Sequence, residues 1–158
     1  MLKLKNIKVH LGLSEETYAY TATVYFDGKK AVEVSNQGHG GGDFQHEVNK
    51  GDLDKVANWI KNNIDPWISP YDASSNEADL EYWCGNQVTA HLTLRDMKRA
   101  MKAKVLFTKP DAKGVFELKF KGVRKYDPRM ATICREQYPD AVVLNELPEA
   151  EALAIYSA

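Results

Sequence analysis

The dipeptide Asp27-Gly28, set between two runs of β-branched and aromatic residues, restricts this chain more than any other feature. Both residue types tolerate positive φ, which the tightest hairpin turn demands at both of its central positions. Residues 17–26 before it are dense in Thr, Tyr and Val. Residues 31–35 after it put Val32 and Val34 on one face. An antiparallel hairpin over 17–35 follows, with one face buried. Upstream, residues 2–11 alternate first as Leu2 and Leu4, then on the other parity as Ile7, Val9 and Leu11. That change of parity predicts a bulge near Asn6.

Beyond residue 50 the apolar period lengthens from 2 to 3.6. Leu53, Val56, Ala57, Ile60 and Ile64 make a helical stripe that Asp52 can cap, and Asp65-Pro66 ends it, because proline disfavours a helical residue before it. After a loop containing Pro66, Pro70, Ser74 and Ser75, Leu80, Cys84, Val88 and Leu92 step by four along one face. Thr93 and Asp96 then have capping-box spacing and open a further short helix with Leu94, Met97 and Met101 inside. Residues 104–108 and 115–120 read as strands joined by a turn over 110–114. Asp127-Pro128 is a cap and first-turn proline for a helix burying Met130, Ile133 and Cys134. A short strand over 141–144 and a helix over 148–156 follow.

Strands first, helices next and a mixed tail predict an α+β fold. Its expected parts are an N-terminal antiparallel hairpin or meander packed by helices, a second small hairpin, and a short terminal strand and helix. The 158 residues contain no repeat and no linker, so one globular domain over 1–158 is expected, long enough to bury roughly 70% of its unfolded surface.

Composition removes several classes. With 44% apolar and 10% aromatic residues, the chain is neither disordered nor fibrous. Two cysteines fifty positions apart make neither a disulfide framework nor a four-cysteine zinc site, which points to free thiols in a reducing compartment. No apolar run approaches the roughly 20 residues of a membrane helix. The opening residues alternate where a signal peptide would present an apolar block. A cytoplasmic protein with no membrane partner is the expectation.

The least ordinary segment is Ser35-Asn36-Gln37-Gly38-His39-Gly40-Gly41-Gly42-Asp43-Phe44-Gln45-His46. Four glycines in five positions let backbone amides turn inward around an anion or pass close to a ligand. His39 and His46 can add proton transfer or metal ligation, and Asp43 can orient either one. Asn36, Gly38, His39, Gly40, Gly41, Asp43 and His46 are therefore the candidate ligand- or partner-binding residues. The plainer and commoner reading is an irregular connection from strand to helix.

Other chemistry finds little support. No phosphate-binding or dinucleotide fingerprint is present. His39, Asp43 and His46 match no common zinc spacing, so neither a metal nor a cofactor is expected. His91 shares a helical face with Leu80, Cys84 and Val88 and reads as a core or boundary histidine. Cys84 and Cys134 sit on apolar faces as small hydrophobes, and no nucleophile elbow occurs, so no catalytic residue is assigned.

A net charge of −1 hides an uneven layout. Residues 95–125 hold eleven basic and three acidic side chains, whereas residues 52–84 hold seven acids and two lysines. Arg95, Lys98, Arg99 and Lys102 fall within an arc of about 100° on one helix. They are candidate contacts for phosphates or an acidic protein surface, although a solvated face looks the same. Trp59, Trp67, Tyr71, Tyr82 and Trp83 lie in or beside the acidic stretch, a composition suited to protein contact or to packing.

Three stretches, Ser14-Glu15-Glu16-Thr17, residues 22–29 (ATVYFDGK) and residues 34–41 (VSNQGHGG), together resemble a family of small uncharacterised proteins of phages, prophages and bacterial mobile elements. Lys104-Val105-Leu106-Phe107 and Asn145-Glu146-Leu147-Pro148 continue the likeness, whose most specific part is the Ser-Asn-x-Gly-His-Gly-Gly segment. The resemblance implies an accessory protein acting in a bacterial host cytoplasm, without an established activity. Binding and modulating a host protein, such as a component of a defence system, is the function expected by analogy of setting. The alternatives are binding or hydrolysis of a nucleotide or other phosphorylated ligand through loop 38–46, and weak nucleic-acid binding through helix 95–104.

Overall fold

At the Asp27-Gly28 turn φ is 47° and 82°, the double positive pair that the sequence demands. It joins β2 (Tyr20–Phe26) to β3 (Lys29–Asn36) in a computed structural model that describes residues 1–158. β1 (Leu2–Val9) pairs antiparallel with β2, and its register shifts between Lys5 and Lys8 around Asn6, whose φ of 56° marks the expected bulge. The hairpin proper starts at Tyr20, three residues later than the composition indicated. A fourth strand, β4 (Phe44–Glu47), adds to β3 and completes a sheet ordered β1-β2-β3-β4. It was not expected: all but Glu47 of its residues are exposed, so the strand has no alternation to reveal it.

The chain forms two compact units, Met1–Thr89 and Ala90–Ala158. In the first, α1 (Asp52–Asn63) packs on β3 and β4, with Val56 and Ile60 fully buried alongside Val24 and Val32 of the sheet. Each such side chain contributes roughly 1.5–3 kcal/mol by leaving water. The α1 cap differs from expectation. Gly51, at φ 85°, occupies the cap position, and Glu47 Oε2 accepts from the amides of Gly51 (2.9 Å) and Leu53 (3.4 Å). Asp52 is the first helical residue and accepts from Asn49 N and Nδ2. Ile64 ends the helix before Asp65-Pro66, as predicted. A two-strand ribbon, β5 (Trp67–Ile68) with β6 (Ser75–Asn76), leads to α2 (Leu80–Met101).

α2 is one helix of 22 residues, and Thr93 opens no second one. Leu92 and Met97 are both buried, at 6% and 1% exposure, and no proline or glycine interrupts residues 86–101. Continued burial outweighs a local capping signal. Leu80, Cys84 and Val88 are buried as expected, but His91 is exposed. Leu92, one residue on, continues the buried row instead.

In the second unit β7 (Lys104–Lys109) is central, flanked by β8 (Ala112–Lys119) and β9 (Val142–Val143), all antiparallel. Its unbroken run Val105-Leu106-Phe107 is buried on both faces. Val105 and Phe107 join Met130, Ala131 and Cys134 of α3 (Pro128–Gln137), while Leu106 joins Met97, Leu144 and Ala152 of α4 (Glu149–Tyr156). Asp127 caps α3 through Arg129 N, with Pro128 at the first turn. Two expectations are corrected here. Ile133 is 45% exposed, its inward place taken by Ala131, and Gly114 lies within β8, so the turn is Pro110-Asp111. The α+β class holds throughout.

Candidate functional site

The site is assembled around one buried amide. Asn36, at the end of β3, is 8% exposed and makes four hydrogen bonds with its side chain. Its Oδ1 accepts from Thr17 Oγ1 and Gly38 N, both at 2.8 Å, and its Nδ2 donates to Gly41 O (2.9 Å) and Asp43 Oδ1 (3.0 Å). The glycine loop is thus wound about Asn36. Gly38, at φ 89°, has a conformation that side-chain-bearing residues avoid, and a Cβ there would drive into the Leu13 carbonyl oxygen. The Gly38 carbonyl accepts from the amides of Glu15, Glu16 and Thr17, at 2.9, 3.1 and 3.5 Å. The loop therefore pins the preceding segment 14–18 in place.

That segment forms one wall of a cleft of about 730 Å³ within the first unit. Five carboxylates line it: Glu15, Glu16, Asp43, Asp79 and Glu81. Tyr18, Tyr20, Trp67 and Tyr82 supply aromatic surface, and no lysine, arginine or histidine lies on its walls. Three of the acids are placed by local hydrogen bonds. Asp79 Oδ1 accepts from Tyr82 N at 2.7 Å in the first turn of α2, and Glu81 Oε2 accepts from Asp43 N at 3.2 Å. Asp43 is held between Asn36 and the Tyr20 hydroxyl, which donates to its Oδ2. Trp67 stacks on Tyr82 with centroids 5.4 Å apart and planes 11° from parallel. Leu11, Leu13, Ile68 and Tyr71 are exposed apolar side chains on the neighbouring loop and ribbon segments.

Electrostatics favour a cation here. Neutral donors hold the acids without cancelling their charge, and the sole cationic-capable contact is His39 Nδ1 on Glu15 Oε2 at 3.1 Å. The first unit carries thirteen acids against eight Lys and Arg, a negative balance of the same sign as the cleft. Burial, then the Asp43 hydrogen bond, raises the Tyr20 phenol above its ordinary pKa. Burial, then the Asp43 charge, pushes the Cys84 thiol up to about 12. A thiol so placed stays protonated at neutral pH and is no nucleophile.

The residues singled out from sequence divide. Asn36 and Asp43 line the cleft; Gly38, Gly40 and Gly41 shape the loop behind it; His39 lies exposed against Glu15. Three of the loop amides expected to face an anion have internal partners: Gly38 N on Asn36, Gly40 N on Thr17 (3.4 Å) and Asp43 N on Glu81. His46 belongs to β4, opposite Glu33, and lines a separate depression with Phe44. In the second unit Arg95 bonds to Asp96 and Lys98 pairs with Glu149 at 2.6 Å, while Arg99 and Lys102 are exposed. Trp83, grouped with the contact aromatics by sequence, is buried.

Sequence reasoning missed Glu15, Glu16, Asp79 and Glu81, since each is an ordinary acid until the fold gathers them. Its one usable signal was the aromatic and acidic mixture around Trp67 and Tyr82. No group of three or more His, Cys, Asp or Glu side chains is placed to hold a metal ion, and no helix is long and apolar enough to cross a membrane. No family model, curated protein or solved structure matches the chain.

Proposed function

We propose that the chain is a binding protein, non-enzymatic, that uses the acidic cleft of residues 1–89 to receive a basic segment of a partner protein. One observation carries this reading: five carboxylates and four aromatic rings surround a cleft with no basic side chain on its walls. Carboxylates supply steering and register for a basic partner, and Trp and Tyr supply anchoring area. The volume accommodates several side chains, which suits a peptide segment more than a single ion. The setting implied by the sequence resemblance, a phage-type accessory protein meeting a host protein in a bacterial cytoplasm, gives such a partner. A phosphorylated ligand is favoured less, because the amides of Gly38, Gly40 and Asp43 are engaged and the walls are acidic. Nucleic-acid binding through Arg95, Lys98, Arg99 and Lys102 is favoured less, because two of these four cations have carboxylate partners.

The test is calorimetric titration with a basic and an acidic peptide of equal length. Only the basic peptide should bind, with affinity falling as salt rises. The Glu15→Gln, Glu16→Gln, Glu81→Gln triple variant should lose about tenfold or more, taking roughly 0.5 kcal/mol or more for each exposed charge. Binding that survives the triple change undiminished refutes the reading.

A further inference from the structure

We propose that the cleft selects arginine over lysine, an inference that rests on reading the cleft as the seat of a basic segment. Charge alone would not distinguish the two cations; the Trp67–Tyr82 pair would. The rings stack on each other, 11° from parallel, and both also line the cleft, as do the carboxylates of Asp79 and Glu81. Aromatic ring surface and two carboxylates thus share one cleft.

A guanidinium matches this arrangement in three ways. It is planar and stacks on aromatic rings, it is more weakly hydrated than an ammonium, and its fork of donors meets a carboxylate in its own plane. A lysine ammonium offers a compact point charge that keeps more of its water and gains less from the ring surface. The surface is also set in advance. The two rings hold each other by stacking, one carried by the β5–β6 ribbon and the other by the first turn of α2. A partner's side chain therefore does not have to order the rings on arrival.

The experiment compares two acetylated, amidated hexapeptides, one alternating glycine with arginine and the other glycine with lysine, titrated into the whole chain at one salt concentration. The arginine peptide should bind about tenfold more tightly. In Trp67→Leu, and separately in Tyr82→Leu, the arginine affinity should fall more than the lysine affinity, so that the ratio collapses towards one; a thermal melt confirms that each variant is folded. Equal affinities in the unaltered protein overturn the arginine inference while leaving the cleft reading intact. So does a ratio that survives both ring substitutions. Failure of both peptides to bind removes the cleft reading, and this inference with it.

Discussion

Replacing Asn36 by alanine tests whether the glycine loop is held by its buried amide or by its exposed histidine. The change deletes four hydrogen bonds and strands the Gly38 amide, the buried donor of the set. A net hydrogen bond is worth about 1 kcal/mol, and a buried donor left without a partner costs about 1–3 kcal/mol. Water can reach Gly41 O and the Thr17 hydroxyl, so these recover part of their loss. The expected destabilisation is about 3 kcal/mol, or a fall in melting temperature of roughly 6–12 °C for a chain of this size. His39→Ala is the contrast. The His39 side chain is 61% exposed and touches one carboxylate that is 71% exposed, so its removal should stay within about 0.5 kcal/mol. Urea unfolding followed by circular dichroism gives both numbers. A cost below about 1 kcal/mol for Asn36→Ala, or equal costs for the two variants, would refute the description of the loop as wound about Asn36.

Two further outcomes follow from the same geometry. Gly38→Ala should lower the urea midpoint sharply, because the new Cβ meets the Leu13 carbonyl at a positive φ, whereas Gly41→Ala has open space and should leave the midpoint within about 0.5 kcal/mol of the parent; equal effects would contradict the packing. Alkaline stability should reflect Tyr20 and Cys84, whose folded forms hold their protons more tightly than the unfolded chain does: their stabilisation is complete below about pH 9 and is lost as pH rises towards 12, at up to about 1.4 kcal/mol per pH unit for Cys84. Urea midpoints from pH 7 to 11 should fall less steeply in Cys84→Ala than in the parent, and parallel slopes would argue against a buried, protonated thiol.

Legibility in the sequence followed the range of the interactions involved. The Asp27-Gly28 turn, the Asn6 bulge, the end of α1 before Asp65-Pro66 and the Asp127-Pro128 cap are decided within a few residues, by φ preference or a missing amide hydrogen. Features that depend on what another element covers were harder to read. Thr93 and Asp96 look like a helix start, but burial of Leu92 and Met97 carries α2 straight through. β4 is exposed on nearly every residue and owes its strand form to pairing with β3. Of the site, the sequence showed the glycine loop and the aromatics near Trp67. The cleft acids come from three separate stretches, 15–16, 43 and 79–81, and only the fold shows that they share one space.

The glycine loop and the acidic cleft then have one explanation. Gathering five carboxylates in one place is unfavourable for folding, since like charges repel and no basic side chain on the walls relieves them. The arrangement persists because other bonds fix it. The Gly38 carbonyl holds the amides of Glu15, Glu16 and Thr17, Asn36 and Tyr20 hold Asp43, and Asp79 and Glu81 accept backbone amides. Those donors are neutral, so they set positions without discharging the field. A loop whose only task was to connect β3 to β4 would need neither the buried Asn36 network nor a glycine pressed against the Leu13 carbonyl. Both become intelligible if the loop exists to keep Glu15 and Glu16 facing the cleft. Repulsion left standing in the free protein is then available to a cationic partner, whose arrival relieves it.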